Sequence, residues 1–563
     1  MISKYDGFCM KCKKKIHKGD EIVKDEGLGK WVHKVCPSGK RINLKQELLG
    51  RNAPKPIEEE NRNQSFSIEF TPSVYQEEIF KFIESGKGNG VIEAVAGSGK
   101  TTTIIKALAR IPKDKKVAFF AFNVHIAKEL EERLMKMGLS NVHVSTIHSF
   151  GLSICRKLPE LKRGKNGIDR DKLSGLMDNW YPIHYEITTA DRIKNRIKRN
   201  QLRKIVTLAK ATLIDYKNRE AVVEMMERYN IDQDDDTFEL VQRLPELMQM
   251  CLDNLETVDF EDMQWLPVVI NRLKLHTDKF DFVFIDEAQD LNACQIELLL
   301  NTVNESGRII AVGDRKQSLY GFRGADTDAI PRLIEMLDAK TLPLSITYRC
   351  PKSHVERARK IVPQIEASDD AIDGYFGEIG YKDFLDKISD GDMVVCRTNA
   401  PLMKPAFQTI RNGNKAIIRG AEIGEQLVMF IQKFEAPSLL TLYALMSEYT
   451  AKEVDRLLSK GKELQAEMLV DKEETIKAIA NECKTVEELT EKILILYSND
   501  NIGVVFSSVH RAKGLEAQRV FVLRPELMPH PKAKQGWEMI QEDNTLYVAL
   551  TRSKSELYYV IGE

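Results

Sequence analysis

Gly90 to Leu108 reads GVIEAVAGSGKTTTIIKAL: an apolar run, a glycine-rich turn and a helical pattern within nineteen residues. The segment from Ala94 to Thr101 is a P-loop, with alanine where a first glycine is usual. Glycines let backbone N–H groups wrap a phosphate, and the helix N-terminus adds its dipole. The expected cradle is Ala96, Gly97, Ser98, Gly99, Lys100, Thr101 and Thr102. Lys100 is expected at the β- and γ-phosphates and Thr101 at Mg²⁺. Such a loop between a buried strand and a helix predicts an α/β nucleotide-binding core.

Further along, Phe280 to Asp290 reads FDFVFIDEAQD, a buried strand that ends in carboxylates. Asp286 is the expected magnesium ligand and Glu287 the expected base for an attacking water. Residues 312 to 325, VGDRKQSLYGFRGA, set a strand end before a polar turn with Gln317, Tyr320, Phe322 and Arg323. An amide can sense a phosphate, an aromatic face can stack on a base, and an arginine can hold a backbone phosphate. Together they suggest nucleotide chemistry coupled to a grip on nucleic acid.

Composition bounds the class. The chain has 563 residues, enough for about three or four domains. Hydrophobic residues make up 43% and charged residues 30%, as in a soluble globular protein. No apolar run approaches a membrane span of roughly 18 residues. The start, MISKYDGFCMKCKKK, lacks the apolar core of a secretory signal. The expected setting is cytoplasmic, in a bacterial or phage-infected cell. Net charge is −1, so bulk charge names no polyanion partner. Its distribution is uneven: residues 1 to 55 hold fourteen Lys/Arg against six Asp/Glu. Residues 191 to 210 hold eight basic groups and one acid, a pattern compatible with a nucleic-acid track or with a solvated helix face.

Near the start lie Cys9-x2-Cys12 and His33-x2-Cys36. Two close-spaced pairs of soft ligands suit a closed tetrahedral Zn²⁺ site. So small a module lacks a core of its own, and zinc binding supplies on the order of 10–16 kcal/mol in comparable peptides. The other cysteines are scattered singly, which argues against disulfides.

With these stretches in view, the chain resembles superfamily 1A DNA helicases of the UvrD/Rep/PcrA type. The matching motifs recur in the family's order along most of residues 66 to 563. Gln76, in TPSVYQ, resembles the glutamine that reads an adenine edge. Phe122 and Asn123 resemble the motif after the first crossover, although the family's commoner Phe-Thr-Asn is Phe-Asn here. His148, in VSTIHSFG, resembles a DNA-contacting histidine. Tyr348 and Arg349 look like the tyrosine that stacks on adenine and the arginine that meets the γ-phosphate. Arg397 and Asn399, in VVCRTN, sit where a strand leads to DNA contacts. In SSVHRAKGLEAQRVFVL, Glu516 resembles a ribose ligand, while Ser508 and His510 fall at DNA contacts, serine replacing the family's threonine. Arg552, in YVALTR, resembles an internal arginine finger. Phe322 stands where a tryptophan is frequent and can still stack.

The resemblance implies two RecA-like P-loop NTPase cores with mainly helical insertions, plus the added zinc module. Expected boundaries are 1–50 for the zinc module and 51–65 for a linker. The first core is expected at 66–150 and 259–330, interrupted by an accessory insertion at 151–258. The second is expected at 331–430 and 500–563, with a short helical insertion at 431–499. The chain ends eleven residues after Arg552, so no nuclease domain is expected to follow. The implied activity is an ATP-dependent DNA translocase and helicase, 3′→5′, of the kind used in DNA repair and replication. Its catalytic set is Lys100, Asp286, Glu287, Gln317, Arg349 and Arg552, with ATP, Mg²⁺ and Zn²⁺. Expected partners are single-stranded DNA and single/double-strand junctions, a protein through the zinc module, and no membrane. A second reading is a protein-stripping translocase with weak unwinding, which the short 431–499 insertion keeps open. A third is a zinc-containing nucleic-acid-binding adaptor with an inactive ATPase, against which the intact catalytic set argues. RNA also stays open, because stacking and phosphate contacts do not distinguish the sugar.

Overall fold

In a computed structural model, the described residues are 70–562 without 86, 181–188, 230, 232–234, 275–276, 320–328, 413, 460–462, 499–502 and 531–535, plus four short strands before residue 34. Those strands form two antiparallel ribbons, Gly7–Phe8 with Lys15–Ile16 and Ile22–Lys24 with Trp31–His33. Cys9, Cys12 and Cys36 lie outside the described residues, as do the side chain of His33 and residues Tyr320, Phe322 and Arg323.

The body is built on two parallel sheets. The first has six strands: β1 (Gly90–Ala94), β2 (Val117–Ala121), β3 (Val142–Thr146), β4 (Phe280–Ile285), β5 (Val303–Gly313) and β6 (Lys340–Leu344). They lie in the order β6-β1-β5-β4-β2-β3, all parallel. Parallel strands are covered on both faces and read as near-continuous apolar runs. VAFFA of β2 is buried at every position. One face packs Ile92, Phe119, Phe284 and Ile310, and the other packs Val91, Phe120, Val283 and Ile309.

The second sheet has seven parallel strands: β7 (Tyr375–Gly380), β8 (Met393–Cys396), β9 (Ala416–Arg419), β10 (Tyr497–Ser498), β11 (Val504–Ser508), β12 (Ala517–Leu523) and β13 (Ser553–Ile561). Their order is β7-β13-β12-β8-β11-β9-β10.

One boundary differs from expectation. Lys340–Leu344 pairs with Gly90–Ala94, so the first core runs to residue 344 instead of ending at 330. Leu342 and Leu344 are buried in the first core's hydrophobic cluster, which ties this strand to the P-loop strand. Only Ser345 separates it from Ile346–Thr347 and the Thr347-Tyr348-Arg349 segment.

The interruption at 151–258 is helical, including Lys172–Trp180, Thr189–Thr212, Arg219–Arg228 and Asp235–Asp253. Its basic stretch is turned partly inward. Arg199 pairs with Asp178, Arg203 donates to Ser174 Oγ, and Lys204 donates to the Tyr229 carbonyl at 3.1 Å. Lys210 is buried against Asp262 at 2.7 Å and Asp259 at 3.8 Å, while Lys172 also reaches Asp262 at 2.5 Å. The tally of basic residues therefore overstates the positive surface on this helix.

The 431–499 insertion carries helices Leu439–Ser459, Glu463–Ala480 and Val486–Leu496. Asp471 accepts from the backbone N–H groups of Asn399 at 3.1 Å and Ala400 at 2.6 Å, capping the helix Ala400–Arg411. Among the described residues no helix is long and apolar enough to cross a membrane.

Candidate nucleotide site and nucleic-acid interface

The glycine turn after β1 has two left-handed residues, Gly97 (φ 72°) and Gly99 (φ 75°), and the helix Lys100–Leu108 follows. A side chain at Gly97 would have its Cβ only 2.5 Å from the Arg349 Cβ and 2.7 Å from Thr347 Oγ1. Glycine is thus required there by both backbone sign and close approach. The Tyr348 N–H donates to the Gly97 carbonyl at 2.9 Å, and the Tyr348 ring is half exposed beside the loop. An aromatic face and an arginine are in this way docked on the phosphate cradle. Thr101 is half-buried and Thr102 exposed on the helix's first turn. The Ser98 hydroxyl is buried with no hydrogen-bond partner among the described residues.

The acidic strand end meets this loop. Lys100 Nζ lies 2.8 Å from Glu287 Oε1. Glu287 Oε2 accepts from Gln289 at 2.5 Å and lies 3.4 Å from Lys513 Nζ. Glu287 occupies a left-handed backbone conformation at φ 50°, which costs on the order of 1–3 kcal/mol and occurs mainly where a site fixes it. Burial alone would raise its carboxyl, but Lys100 and Lys513 outweigh that and hold it well below the carboxylate range. Asp286 is pushed up to about 6 by burial and then by the charge of Glu287. Asp286 accepts from the Glu287 N–H at 2.9 Å and has no ion-pair partner among the described residues. A buried carboxylate with no direct ion pair among the described residues, at the strand end beside Lys100, fits a divalent metal held with Thr101.

Gln317 donates to Asp314 Oδ2 at 2.7 Å, and Asp314 N–H donates to Gln289 Oε1 at 3.0 Å. Tyr547, a residue that sequence reasoning did not single out, enters from the second core. Its hydroxyl accepts from the Ala96 N–H at 2.9 Å and donates to Asp314 Oδ2 at 3.3 Å. Its burial among Val95, Ala96, Cys350 and Val355 seats the second core on the P-loop.

Arg349 pairs with Glu516 at 2.7 Å and donates to the Thr551 carbonyl at 3.4 Å. Glu516 also pairs with Lys554. Arg552 is 1% exposed, and its guanidinium donates to the carbonyls of Val548 at 3.0 Å and Leu515 at 3.2 Å. Burial and the neighbouring Arg349 charge lower it to about 10. Both arginines expected at the γ-phosphate thus belong to one cluster, with Arg349 nearer the loop and Arg552 held within the second core. Gln76 is buried; its Oε1 accepts from the Ser73 N–H at 3.0 Å and its Nε2 donates to Thr103 Oγ1 at 2.9 Å. Here it caps the helix Val74–Glu84 and braces the P-loop helix.

The expected nucleic-acid contacts divide into open and engaged groups. Phe122 is 49% exposed, and Asn123 caps the helix Val124–Lys136. His148 is packed against Phe260 and contacts Gln264, and burial lowers its basicity against an opposing pull from Glu261. Arg397 is fully committed to Glu542 in a two-pronged ion pair, 2.7 Å at its closest. Asn399 is bound to Asp471. Ser508 is buried at the end of β11, with half-buried His510 just beyond.

Comparison with known proteins agrees with this geometry. Residues 75–337 match the UvrD/REP helicase N-terminal domain, and residues 503–560 match the UvrD-like helicase C-terminal domain. The ATP-dependent DNA helicase PcrA of Staphylococcus epidermidis is 26% identical over 294 residues, which is 50% of this chain and 38% of that protein. The probable DNA helicase II homolog of Mycoplasma pneumoniae is 24% identical over 324 residues, 52% of this chain and 43% of its own. PcrA of Staphylococcus aureus is 25% identical over 297 residues, 50% of this chain and 38% of that protein. The matched stretch thus spans about two-fifths of the length of these curated relatives.

Proposed function

The chain belongs to the UvrD-type helicases of superfamily 1, and from that premise we propose that it is an ATP-dependent DNA helicase and single-strand translocase. The observation that carries this reading is the convergence on one loop of Lys100, Glu287, Tyr348 and Arg349, with Tyr547 bridging from the other core.

ATP is the substrate. Gly97 to Thr101 would wrap its phosphates, and Tyr348 would stack on the base. Mg²⁺, held by Thr101 and Asp286, would neutralise charge on the β- and γ-phosphate oxygens. Lys100 would turn from Glu287 to the phosphates. Glu287 would take a proton from the attacking water as the bond to ADP breaks, and Arg349 with Arg552 would offset charge on the leaving oxygen. An arginine at that point is worth about 10³–10⁵ in rate. Because these groups come from two RecA-like cores, hydrolysis would depend on cleft closure, and each cycle would shift one nucleic-acid grip against the other. Travel is proposed as 3′→5′ in a bacterial cytoplasm, with Phe122, His148, Phe322 and Ser508 along the strand. Arg397 would have to leave Glu542 to join them.

The test is ATP hydrolysis with and without single-stranded DNA, beside Glu287→Gln. Strong stimulation that disappears in the variant supports the reading. Absence of hydrolysis under both conditions refutes it. Strand displacement on substrates of both polarities then checks direction. Cys9, Cys12, His33 and Cys36 are proposed to hold zinc. Release of one equivalent from Cys9→Ser, with hydrolysis retained, is the expected result, and a zinc-free wild-type chain would overturn the assignment.

A further inference from the structure

Lys513 stands at an unusual junction. It lies in the turn 509–514 of the second core, yet its ammonium reaches the acidic strand end of the first. It pairs with Asp290 and lies 3.4 Å from Glu287 Oε2. On its other side the ring centroid of Phe122 is 5.9 Å away. The same turn begins one residue after Ser508 and includes His510. One ammonium thus links the proposed base, an exposed aromatic of the proposed strand path, and the loop of two further strand contacts.

The state of Glu287 gives this junction its meaning. Both carboxylate oxygens are engaged, Oε1 by Lys100 at 2.8 Å and Oε2 by Gln289 and Lys513. Each of these contacts occupies a lone pair that an attacking water would otherwise use. Nucleotide phosphates would draw Lys100 away, because they present the higher negative charge. Lys513 has a second hold, since its partner Asp290 is 3% exposed and anchors it beside the base. The turn that carries Lys513 also carries His510 and follows directly on Ser508, so a seated strand is placed to release it.

We propose that Lys513 is the positioning residue through which a bound strand licenses hydrolysis: in the strand-free chain it holds Glu287 engaged, and a strand seated across Phe122 and the turn 509–514 draws it off. The inference deepens the proposed DNA-dependent ATPase and rests on it. A shift of the turn by about 2 Å would suffice, since it takes the ammonium from 3.4 Å to beyond the roughly 4 Å limit of a direct ion pair. The cost of a misplaced cation falls on the base alone, so nucleotide binding should be spared.

The experiment is steady-state hydrolysis by the full chain with Mg²⁺, with and without saturating oligo-dT, for wild type, Lys513→Ala, Lys513→Arg and Asp290→Asn. Lys513→Ala is expected to raise the strand-free kcat about tenfold and to shrink the stimulation ratio accordingly, with KM for ATP little changed. Lys513→Arg should restore the ratio by keeping the ion pair. Asp290→Asn leaves Glu287 as the lysine's paired carboxylate among the described residues, so it should tighten that pair and lower the strand-free rate, and it covers the case in which Lys513→Ala does not fold. An equal fall of kcat with and without oligonucleotide, leaving the ratio intact, overturns the proposal. A wild-type chain that hydrolyses ATP without any response to the strand overturns it too, and removes the DNA dependence on which it stands.

Discussion

The hydroxyl of Tyr547 accepts a hydrogen bond from the backbone N–H of Ala96 at 2.9 Å, across a sequence separation of 451 residues. The same hydroxyl donates to Asp314 at 3.3 Å, next to Gln317. One side chain of the second core is therefore tied to the phosphate loop and to the turn between β5 and the stretch 320–328. Burial and then the Asp314 charge raise its hydroxyl well above the ordinary tyrosine value, so it stays a donor at any working pH.

Tyr547→Phe keeps the ring in place but leaves the Ala96 N–H without an acceptor. One unpaired buried donor costs about 1–3 kcal/mol. The variant should lose about tenfold in kcat/KM for ATP. Unchanged ATP kinetics would mean that the contact contributes nothing to the site.

Lys100→Ala removes the cation expected at the phosphates and one of two cations on Glu287. Hydrolysis should fall below detection while fluorescent oligonucleotide binding survives. Normal turnover would show that the loop is not the nucleotide site.

Asp262 holds two buried ammonium groups, Lys172 at 2.5 Å and Lys210 at 2.7 Å. Asp262→Ala strands both. Removing one partner of a buried pair costs about 3–5 kcal/mol. Urea melts should show at least that loss for the unit containing the accessory helices, and a shift under about 1 kcal/mol would contradict the assigned burial.

Asp259 beside it gives a pH signature. Burial raises its carboxyl to about 6, with Lys210 opposing and Asp262 adding to the rise. An unfolded aspartate titrates near about 3.9, so the folded chain binds the extra proton. That contribution favours the fold below about pH 4 and is lost as pH rises through about 6. Asp259→Asn should therefore gain stability relative to wild type between about pH 4.5 and 7. A difference independent of pH would remove Asp259 from the account.

The two acidic and phosphate-binding motifs were legible because each is contiguous: strand, turn and chemistry fall within a dozen residues. The sequence of Lys340–Leu344, KTLPL, states a strand but not its neighbour; only pairing with Gly90–Ala94 assigns it to the first core. The basic stretch misled for a similar reason. Lys210 finds Asp262 fifty-two residues away, and no local pattern announces that a lysine will be buried. Arg397 and Asn399 were named for DNA yet are engaged by Glu542 and Asp471, both distant in sequence. Tyr547 and Lys513 lie inside recognisable motifs, but no local pattern marks them, because their partners sit on the opposite core.

The single residue between Lys340–Leu344 and Ile346–Thr347 has a practical consequence for protein engineering. Arg349 follows a two-residue strand that pairs with Glu366–Ala367, one residue beyond the sheet that carries the P-loop. A chimaera joined near residue 330 would give one parent's phosphate loop another parent's edge strand and arginine. A seam downstream, between Ala367 and Tyr375, leaves Thr347, Tyr348 and Arg349 with the Gly97 they pack on.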